Sequence, residues 1–182
     1  MKVLIINANP KETYEAFDLY LEALKASLEE KMNEVKVIPL RRFSFHDCIG
    51  CYSCWLKTPG ICCFQDGMEE ILKEYLAADT VVFASPIIMG FISASLKCVN
   101  DRMLPVMHPF LQPREDRMSH FLRYSHYPEA ILLLDDPRDG AEGTNGSIAL
   151  IEKVYENSQR GMRRFLNTGQ SIEEVSYAIV HH

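Results

Sequence analysis

The sequence lacks the features of a membrane, secreted or nucleic-acid-binding protein. Its longest uncharged stretch, Thr80 to Leu96, is broken by a proline, a glycine and three serines, whereas a membrane-spanning helix needs roughly 20 mostly apolar residues. Only four apolar residues follow Lys2, too few for a signal peptide. Acidic residues outnumber basic ones by 25 to 19, and the net charge of −6 argues against a broad nucleic-acid surface. We therefore expect a cytoplasmic protein that binds neither membranes nor nucleic acids.

Two common phosphate-binding motifs are also missing. The first loop, Asn7 to Thr13, contains neither GxGxxG nor GxxxxGK[ST], so a classical dinucleotide fold and a P-loop nucleotidase are not supported. The composition is that of an ordinary globular protein, 47% hydrophobic and 24% charged, which predicts a packed core. The length of 182 residues fits one domain spanning 1–182.

Short apolar runs alternate with segments in which apolar residues recur at helical spacing. This alternation predicts parallel strands joined by right-handed crossovers, hence an α/β three-layer sandwich with a five-stranded parallel sheet. Among such folds we favour the flavodoxin-like strand order 2-1-3-4-5, with no helix after the fifth strand. The predicted strands are Val3–Asn7, Val35–Leu40, Thr80–Ser85, Ala130–Leu134 and Val175–Val180, and the last predicted helix runs from Ile148 to Phe165.

The loop after the first strand is one part of the candidate site, because ligands of such sheets bind beyond the carboxyl ends of the strands. A helix N-terminus offers unpaired N–H groups and a positive dipole end that suit a phosphate. Lys11 would add charge and Thr13 a hydroxyl. The alternative is an ordinary helix cap, with Asn9 as N-cap, Pro10 at N1 and Glu12 at N3.

The loops after the third and fourth strands complete the candidate site. The apolar turn Pro86–Gly90 can bring backbone N–H groups against a flat ring, or it can be a turn buried in the core. The stretch 135–146 carries three glycines, which permit close backbone approach, although it can also be a surface loop.

Motifs from three separate parts of the chain resemble the NADPH-dependent FMN reductase family, whose fold is flavodoxin-like and which includes iron–sulfur flavoproteins. The resemblance covers about residues 1–105. It is carried by Asn7-Ala8-Asn9-Pro10-Lys11, by Cys48-Ile49-Gly50-Cys51-Tyr52-Ser53-Cys54-Trp55 with Thr58-Pro59-Gly60-Ile61-Cys62 and Asp66, and by Ser85-Pro86-Ile87-Ile88-Met89-Gly90 running to Asp101-Arg102.

The resemblance implies that FMN is the cofactor, NAD(P)H the co-substrate and a small molecule or protein the electron acceptor, in a homodimer or homotetramer. No catalytic side chain is required, because the flavin carries the chemistry. An aromatic residue common in the family is replaced by Ile88, so aliphatic contact would support the ring. The implied FMN-binding residues are Asn9, Lys11 and Thr13 at the phosphate and Pro86, Ile87, Ile88, Met89 and Gly90 at the ring.

Five of the six cysteines lie within residues 48–63, and this segment has three interpretations. The spacing of Cys48, Cys51, Cys54 and Cys62 resembles the four-thiolate pattern of iron–sulfur flavoproteins and would hold a [4Fe–4S] cluster. Alternatively, these are reduced structural cysteines beside the flavin. A redox disulfide or a zinc site is the third interpretation, and zinc is disfavoured because its fingers usually show two separated cysteine pairs.

The sequence therefore predicts an FMN-dependent NAD(P)H oxidoreductase. Two alternatives stay open: an iron–sulfur flavoprotein that carries electrons between proteins, and a degenerate flavodoxin-like domain that no longer binds flavin. The second alternative is motivated by the acidic residues Glu12 and Glu15 in the first loop, which would repel a phosphate unless they point away.

Overall fold

Five parallel strands form a sheet with helices on both faces. A computed structural model describes residues 1–114, 117–136, 144–156 and 164–181. The strands are β1 (Lys2–Asn7), β2 (Glu34–Pro39), β3 (Thr80–Pro86), β4 (Met107–Arg114), β5 (Arg117–Leu122), β6 (Glu129–Asp135) and β7 (Arg164–Asn167). The α-helices are α1 (Glu15–Glu30), α2 (Ser53–Leu56), α3 (Met68–Ala77), α4 (Ala94–Asp101), α5 (Thr144–Glu156) and α6 (Ile172–Val180), with short 3-10 turns at Leu40–Arg42 and Leu104–Val106.

The order of the sheet is β2-β1-β3-β6-β7, with all four pairings parallel. The α/β class and the parallel sheet were predicted correctly. The numbering differs from 2-1-3-4-5 because the strands β4 and β5 intervene along the chain. They pair with each other, antiparallel, as a separate two-stranded sheet within a connection for which no strand was predicted.

Alternate residues of the buried strands face opposite layers of the core. Leu4 and Phe83 belong to the layer that packs against α3, α4 and α5. Val3 and Val82 belong to the layer that packs against α1 and α6. Because both faces are covered, the central strands read as continuous apolar runs, and this is why β1, β3 and β6 were found from sequence.

The predicted fifth strand is wrong. Residues 172–180 form helix α6, which begins with a capping box in which Ser171 and Glu174 each bond the other's backbone N–H. Val175 and Ile179, one turn apart, are fully buried among the residues that pack with α1. A short apolar run does not distinguish a strand from a buried helix, and so this helix, which covers one face, was missed.

The fifth strand is β7, which pairs with β6 at the edge of the sheet. The last predicted helix is therefore too long, because α5 ends at Glu156 and Phe165 lies in β7. Met162, also assigned to that helix, lies outside the described residues. Among the described residues, no helix combines the length and apolar character that crossing a bilayer demands.

Candidate functional site

The loops that follow β1, β3 and β6 start at one edge of the sheet, because the carboxyl ends of these parallel strands meet there. They are the loops predicted after the first, third and fourth strands. The backbone ladder continues past the strands: Ala8 N–H donates to the carbonyl of Ala84 at 2.8 Å, and Ile87 N–H donates to that of Asp135 at 2.7 Å. These bonds hold the starts of the three loops side by side. The predicted FMN-binding residues of the first and third loops therefore follow neighbouring strands.

Asn9 shapes the first loop from inside. Its side chain is fully buried, its Oδ1 accepts from Lys11 N–H at 3.1 Å, and its Nδ2 donates to the carbonyl of Tyr14 at 3.0 Å. Helix α1 starts only at Glu15, with Tyr14 at the N-cap position. The alternative in which Asn9 caps the helix is therefore wrong, and Lys11 and Thr13 lie on an exposed loop ahead of it.

The N-terminus of α1 has no side-chain cap. Its first turn contains Glu15 and Asp18, and Asp18 is paired with Arg41 at 3.0 Å and accepts from Asn7 Nδ2 at 2.7 Å. Burial acts to raise the pKa of Asp18, but the hydrogen bonds from Asn7 and Arg41 outweigh it and lower the pKa. The carboxylate of Asp18 is thus already neutralised by Arg41, and no side chain caps the helix N-terminus, the kind of position that suits an anion.

Asp135 links the loop after β1 to the residue that follows the edge strand β7, a contact that was not predicted from the sequence. The Tyr14 hydroxyl donates to its Oδ2, and the Thr168 hydroxyl donates to its Oδ1. Burial and the neighbouring Asp135 raise the pKa of Tyr14 above its ordinary value, so the phenol stays protonated. The position of Asp135 at the end of a buried strand was the available signal.

The five residues predicted to contact the flavin ring fall into two groups by their exposure to solvent. Pro86 and Ile87 are buried in the core. Ile88 is 40% exposed and Met89 is fully exposed at the tip of the turn. Gly90 is partly exposed next to it.

The geometry of this turn is that of a type I′ turn. Ile88 N–H donates to the Phe91 carbonyl at 2.8 Å, and Phe91 N–H donates back at 3.1 Å. Met89 has φ of 51° and Gly90 has φ of 85°, and type I′ needs positive φ at both central residues. Glycine takes this conformation freely, but Met89 is held in a region that non-glycine residues rarely occupy. Residues 137–143 of the fourth loop lie outside the described residues.

The cysteine segment surrounds one pocket. The five cysteines that line it are Cys48, Cys51, Cys54, Cys62 and Cys63, and all five are free thiols. The short helix α2 buries Cys54 and points the Trp55 indole N–H at the carbonyl of Leu104, 2.8 Å away. The five thiols that are close together in the sequence are thus also close together in the structure.

The thiols of this pocket differ in environment. The Sγ atoms of Cys51 and Cys63, both exposed, are 3.6 Å apart. Hydrogen bonds from the Ser53 side chain and backbone, and from Cys63, lower the pKa of Cys51 to about 7. Burial raises the pKa of Cys54, which opposes loss of its proton.

A buried ion pair holds the cysteine segment against α4. The guanidinium of Arg102 and the carboxylate of Asp66 meet at 2.6 Å, with side chains only 1% and 7% exposed. Arg102 also donates to the carbonyl of His46 at 3.1 Å and to Cys62 Sγ at 3.4 Å, and lies over the Phe64 ring. The pair therefore joins residues on both sides of the segment to the C-terminal end of α4, where Arg102 is the C-cap.

The pKa of Asp66 reflects this network. Burial acts to raise the pKa, but the hydrogen bonds from Arg102 and from the backbone and ring of His46, together with the charge of Arg102, hold it far below its usual range. Asp66 is consequently a permanent carboxylate at neutral pH.

The donor set of the pocket fits a thiolate-bound cluster in number and kind, since four cysteine thiolates hold a [4Fe–4S] cluster. Within the ranges that the structure describes, however, no three His, Cys, Asp or Glu side chains are already placed to hold a metal ion. Cluster binding would therefore require the thiols to move closer around the pocket.

Two curated relatives each match more than half of the chain. It is 38% identical over 106 residues to an iron–sulfur flavoprotein of Methanocaldococcus jannaschii, which covers 58% of this chain and 53% of the relative. It is 32% identical over 108 residues to an iron–sulfur flavoprotein of Archaeoglobus fulgidus, covering 59% and 48%. The match thus spans about half the length of these relatives.

Solved structures share the fold over nearly the whole chain. An NAD(P)H:quinone oxidoreductase from Methanothermobacter marburgensis superposes with a TM-score of 0.65 at 19% identity, covering 98% of this chain and 91% of that one. An FMN-dependent NADH-azoreductase from Bacillus anthracis, solved in complex with FMN, gives 0.60 at 16% identity, covering 98% and 94%. At such low identity these structures establish the fold alone, and they agree with the flavodoxin-like prediction.

The family predicted from the motifs is confirmed by a match over residues 1–117. These residues contain the first loop, the cysteine segment and the turn after β3, which are the parts on which the resemblance rested. Membership supports the prediction of an FMN-dependent oxidoreductase. The chain belongs to the NADPH-dependent FMN reductase family.

Proposed function

We propose that the protein is an FMN-dependent oxidoreductase that takes hydride from NAD(P)H and passes electrons to a small-molecule or protein acceptor. The observation that carries this proposal is that two features lie at the same edge of the sheet. One is a helix N-terminus without a side-chain cap, and the other is an apolar turn whose tip is exposed to solvent. The first feature suits a phosphate and the second suits a flat ring. Both lie within the part of the chain that matches the family.

The phosphate would lie at the start of α1. Lys11 and Thr13 are exposed there and supply a positive charge and a hydroxyl. Asn9 would act indirectly, because both ends of its amide are already used to shape the loop. Glu12 and Glu15 are exposed, so they can remain in water rather than face the phosphate.

The ring would lie against the turn tip at Ile88–Gly90, with Pro86 and Ile87 supporting the turn from the core. The flavin, when bound, supplies the hydride chemistry. The protein's task is then to hold two flat rings in contact and to exclude water, and no side-chain acid or base is needed. Assembly as a homodimer or homotetramer and a cytoplasmic location are further parts of this proposal.

Replacing Lys11 by Glu tests the phosphate position. We expect Lys11→Glu to raise the dissociation constant for FMN about tenfold or more, which corresponds to about 1.4 kcal/mol. The assay is titration of FMN with the protein, followed by flavin fluorescence. Lys73→Glu makes the same charge change on the exposed side of α3 and should leave the affinity within about twofold, because salt screens distant charges.

Equal affinity in the Lys11→Glu variant and the natural protein would contradict the phosphate position. Failure of the natural protein to take up FMN would instead favour a degenerate domain that has lost the cofactor.

A second candidate function is that of an iron–sulfur flavoprotein that passes electrons between proteins. The observation in its favour is the pocket lined by five thiols, four of which follow the predicted spacing. The residues that would hold the cluster are Cys48, Cys51, Cys54 and Cys62. An iron assay on protein purified without oxygen, with its absorption spectrum, tests it: about four irons per chain would support this function, and iron-free yellow protein would exclude it.

A further inference from the structure

We propose that Cys51 and Cys63 are a redox-active dithiol that closes reversibly to a disulfide. Cys63 is not part of the four-cysteine spacing that resembles an iron–sulfur site, yet its sulfur is the one that contacts Cys51, at 3.6 Å. The proposal does not rest on flavin binding, because neither residue belongs to the predicted FMN site.

The geometry permits closure by small movements. A disulfide bond is about 2.05 Å long, so the two sulfurs need to approach by roughly 1.5 Å, a distance within reach of side-chain rotation. The two residues are twelve positions apart and flank the short helix α2. Gly60, with φ of 89°, bends the chain between them. The bond would therefore close a loop that is already folded back on itself.

Both thiols are open to a reagent. Cys51 and Cys63 are exposed, whereas Cys54 in the same pocket is buried. Cys62 accepts a hydrogen bond from the buried Arg102, which holds its sulfur toward α4. Cys48 is exposed as well, but the sulfur contact at 3.6 Å joins Cys51 to Cys63, and neither of these two thiols is tied to the buried ion pair.

The oxidant is a small disulfide of the glutathione type. One protein sulfur, as the thiolate, attacks the small disulfide, forms a mixed disulfide and releases one small thiol. The second protein sulfur then attacks the mixed disulfide, forms the Cys51–Cys63 bond and releases the other small thiol. The protein pair loses two electrons and two protons, and the small disulfide gains both, so the exchange balances.

Closure has a consequence for iron. A sulfur in the Cys51–Cys63 bond is no longer a thiolate, so Cys51 cannot ligate a cluster at the same time. The Cys51–Cys63 disulfide and a cluster bound through Cys51 are therefore mutually exclusive states of the pocket.

The experiment uses the full chain, reduced and freed of metal with a chelator, then treated with oxidised glutathione. We expect the loss of two of the six thiols, with peptide mass mapping that places the cross-link between Cys51 and Cys63. In Cys63→Ser, glutathione should remain attached to Cys51, because the second sulfur is missing. Cys48→Ser, which removes another exposed thiol of the same pocket, should still form the cross-link.

Circular dichroism of each variant before oxidation establishes that it is folded. A cross-link that involves Cys48, Cys54 or Cys62 in the natural protein would overturn the proposal, as would the retention of six thiols. Iron in the protein as purified, bound so that it protects Cys51 from the reagent, would overturn it as well.

Discussion

Replacing Arg102 by Met should destabilise the protein far more than the loss of an ordinary surface charge. Methionine keeps much of the apolar bulk of the side chain, but Asp66 loses the cation that lies 2.6 Å away. Because the two side chains are 1% and 7% exposed, water cannot replace the lost partner. Removing one member of a buried ion pair costs about 3–5 kcal/mol of unfolding free energy.

The lower part of that range is expected, because Asp66 keeps two other hydrogen bonds. The backbone N–H of His46 donates to it at 2.9 Å, and the His46 ring lies 3.2 Å away. Against this, the carbonyl of His46 and the sulfur of Cys62 each lose a donor. We therefore expect a loss of about 3 kcal/mol, measured as a lower urea midpoint with an unchanged slope.

A matched control lies on α4, the helix that Arg102 directly follows. Lys97 and Asp101 form an ion pair one turn apart on α4, with side chains 51% and 49% exposed. Lys97→Met removes the same charge and should cost less than about 1 kcal/mol, as exposed pairs do. The double change Asp66→Asn with Arg102→Met should be less destabilising than Arg102→Met alone, because no unpaired charge is then left buried.

The reasoning would be refuted if Arg102→Met and Lys97→Met lowered the urea midpoint equally. It would also be refuted if the double variant lost the sum of the two single changes, since that would show no coupling between Arg102 and Asp66.

Two further expectations concern the turn and the ion pair. Met89→Ala should weaken FMN binding about threefold to tenfold with thermal stability unchanged, because Met89 is fully exposed; unaltered affinity would show that the ring does not contact the turn tip. Met89→Ala is a cleaner test than a Gly90→Val variant would be. Gly90 has φ of 85° and a Cβ there would lie 3.3 Å from Ser147 Oγ, so valine would also strain the fold. The second expectation concerns pH: because the folded-state pKa of Asp66 lies below the unfolded value of about 3.9, its contribution to stability is complete above that pH and is lost as the pH falls toward the folded value. Urea midpoints measured from about pH 5 downward should therefore fall more steeply for the natural protein than for Arg102→Met, and parallel curves would contradict the assignment.

The strands near the centre of the sheet could be predicted because each is buried on both faces. A continuous apolar run such as that of β3 is typical of a strand that is covered by helices on both faces of a parallel sheet. The first loop and the turn after β3 could be located for a related reason, since parallel strands place their carboxyl ends at one edge. The edge strand β7 is short and half-exposed, so its pattern carried no comparable signal.

The sequence by itself determined the α/β class, the family and the segments of the candidate site. Strands buried on both faces produce continuous apolar runs, and the family motifs consist of residues that are neighbours in the chain. Only the tertiary structure decided that Val175–Val180 is a helix, that Asn9 shapes its loop from inside, and that Tyr14 and Thr168 meet at Asp135. The same holds for the contact of Cys51 with Cys63 and the pairing of Asp66 with Arg102. Each of these depends on residues distant in the chain or on a choice between two conformations that one apolar run allows, and packing against the rest of the fold makes that choice.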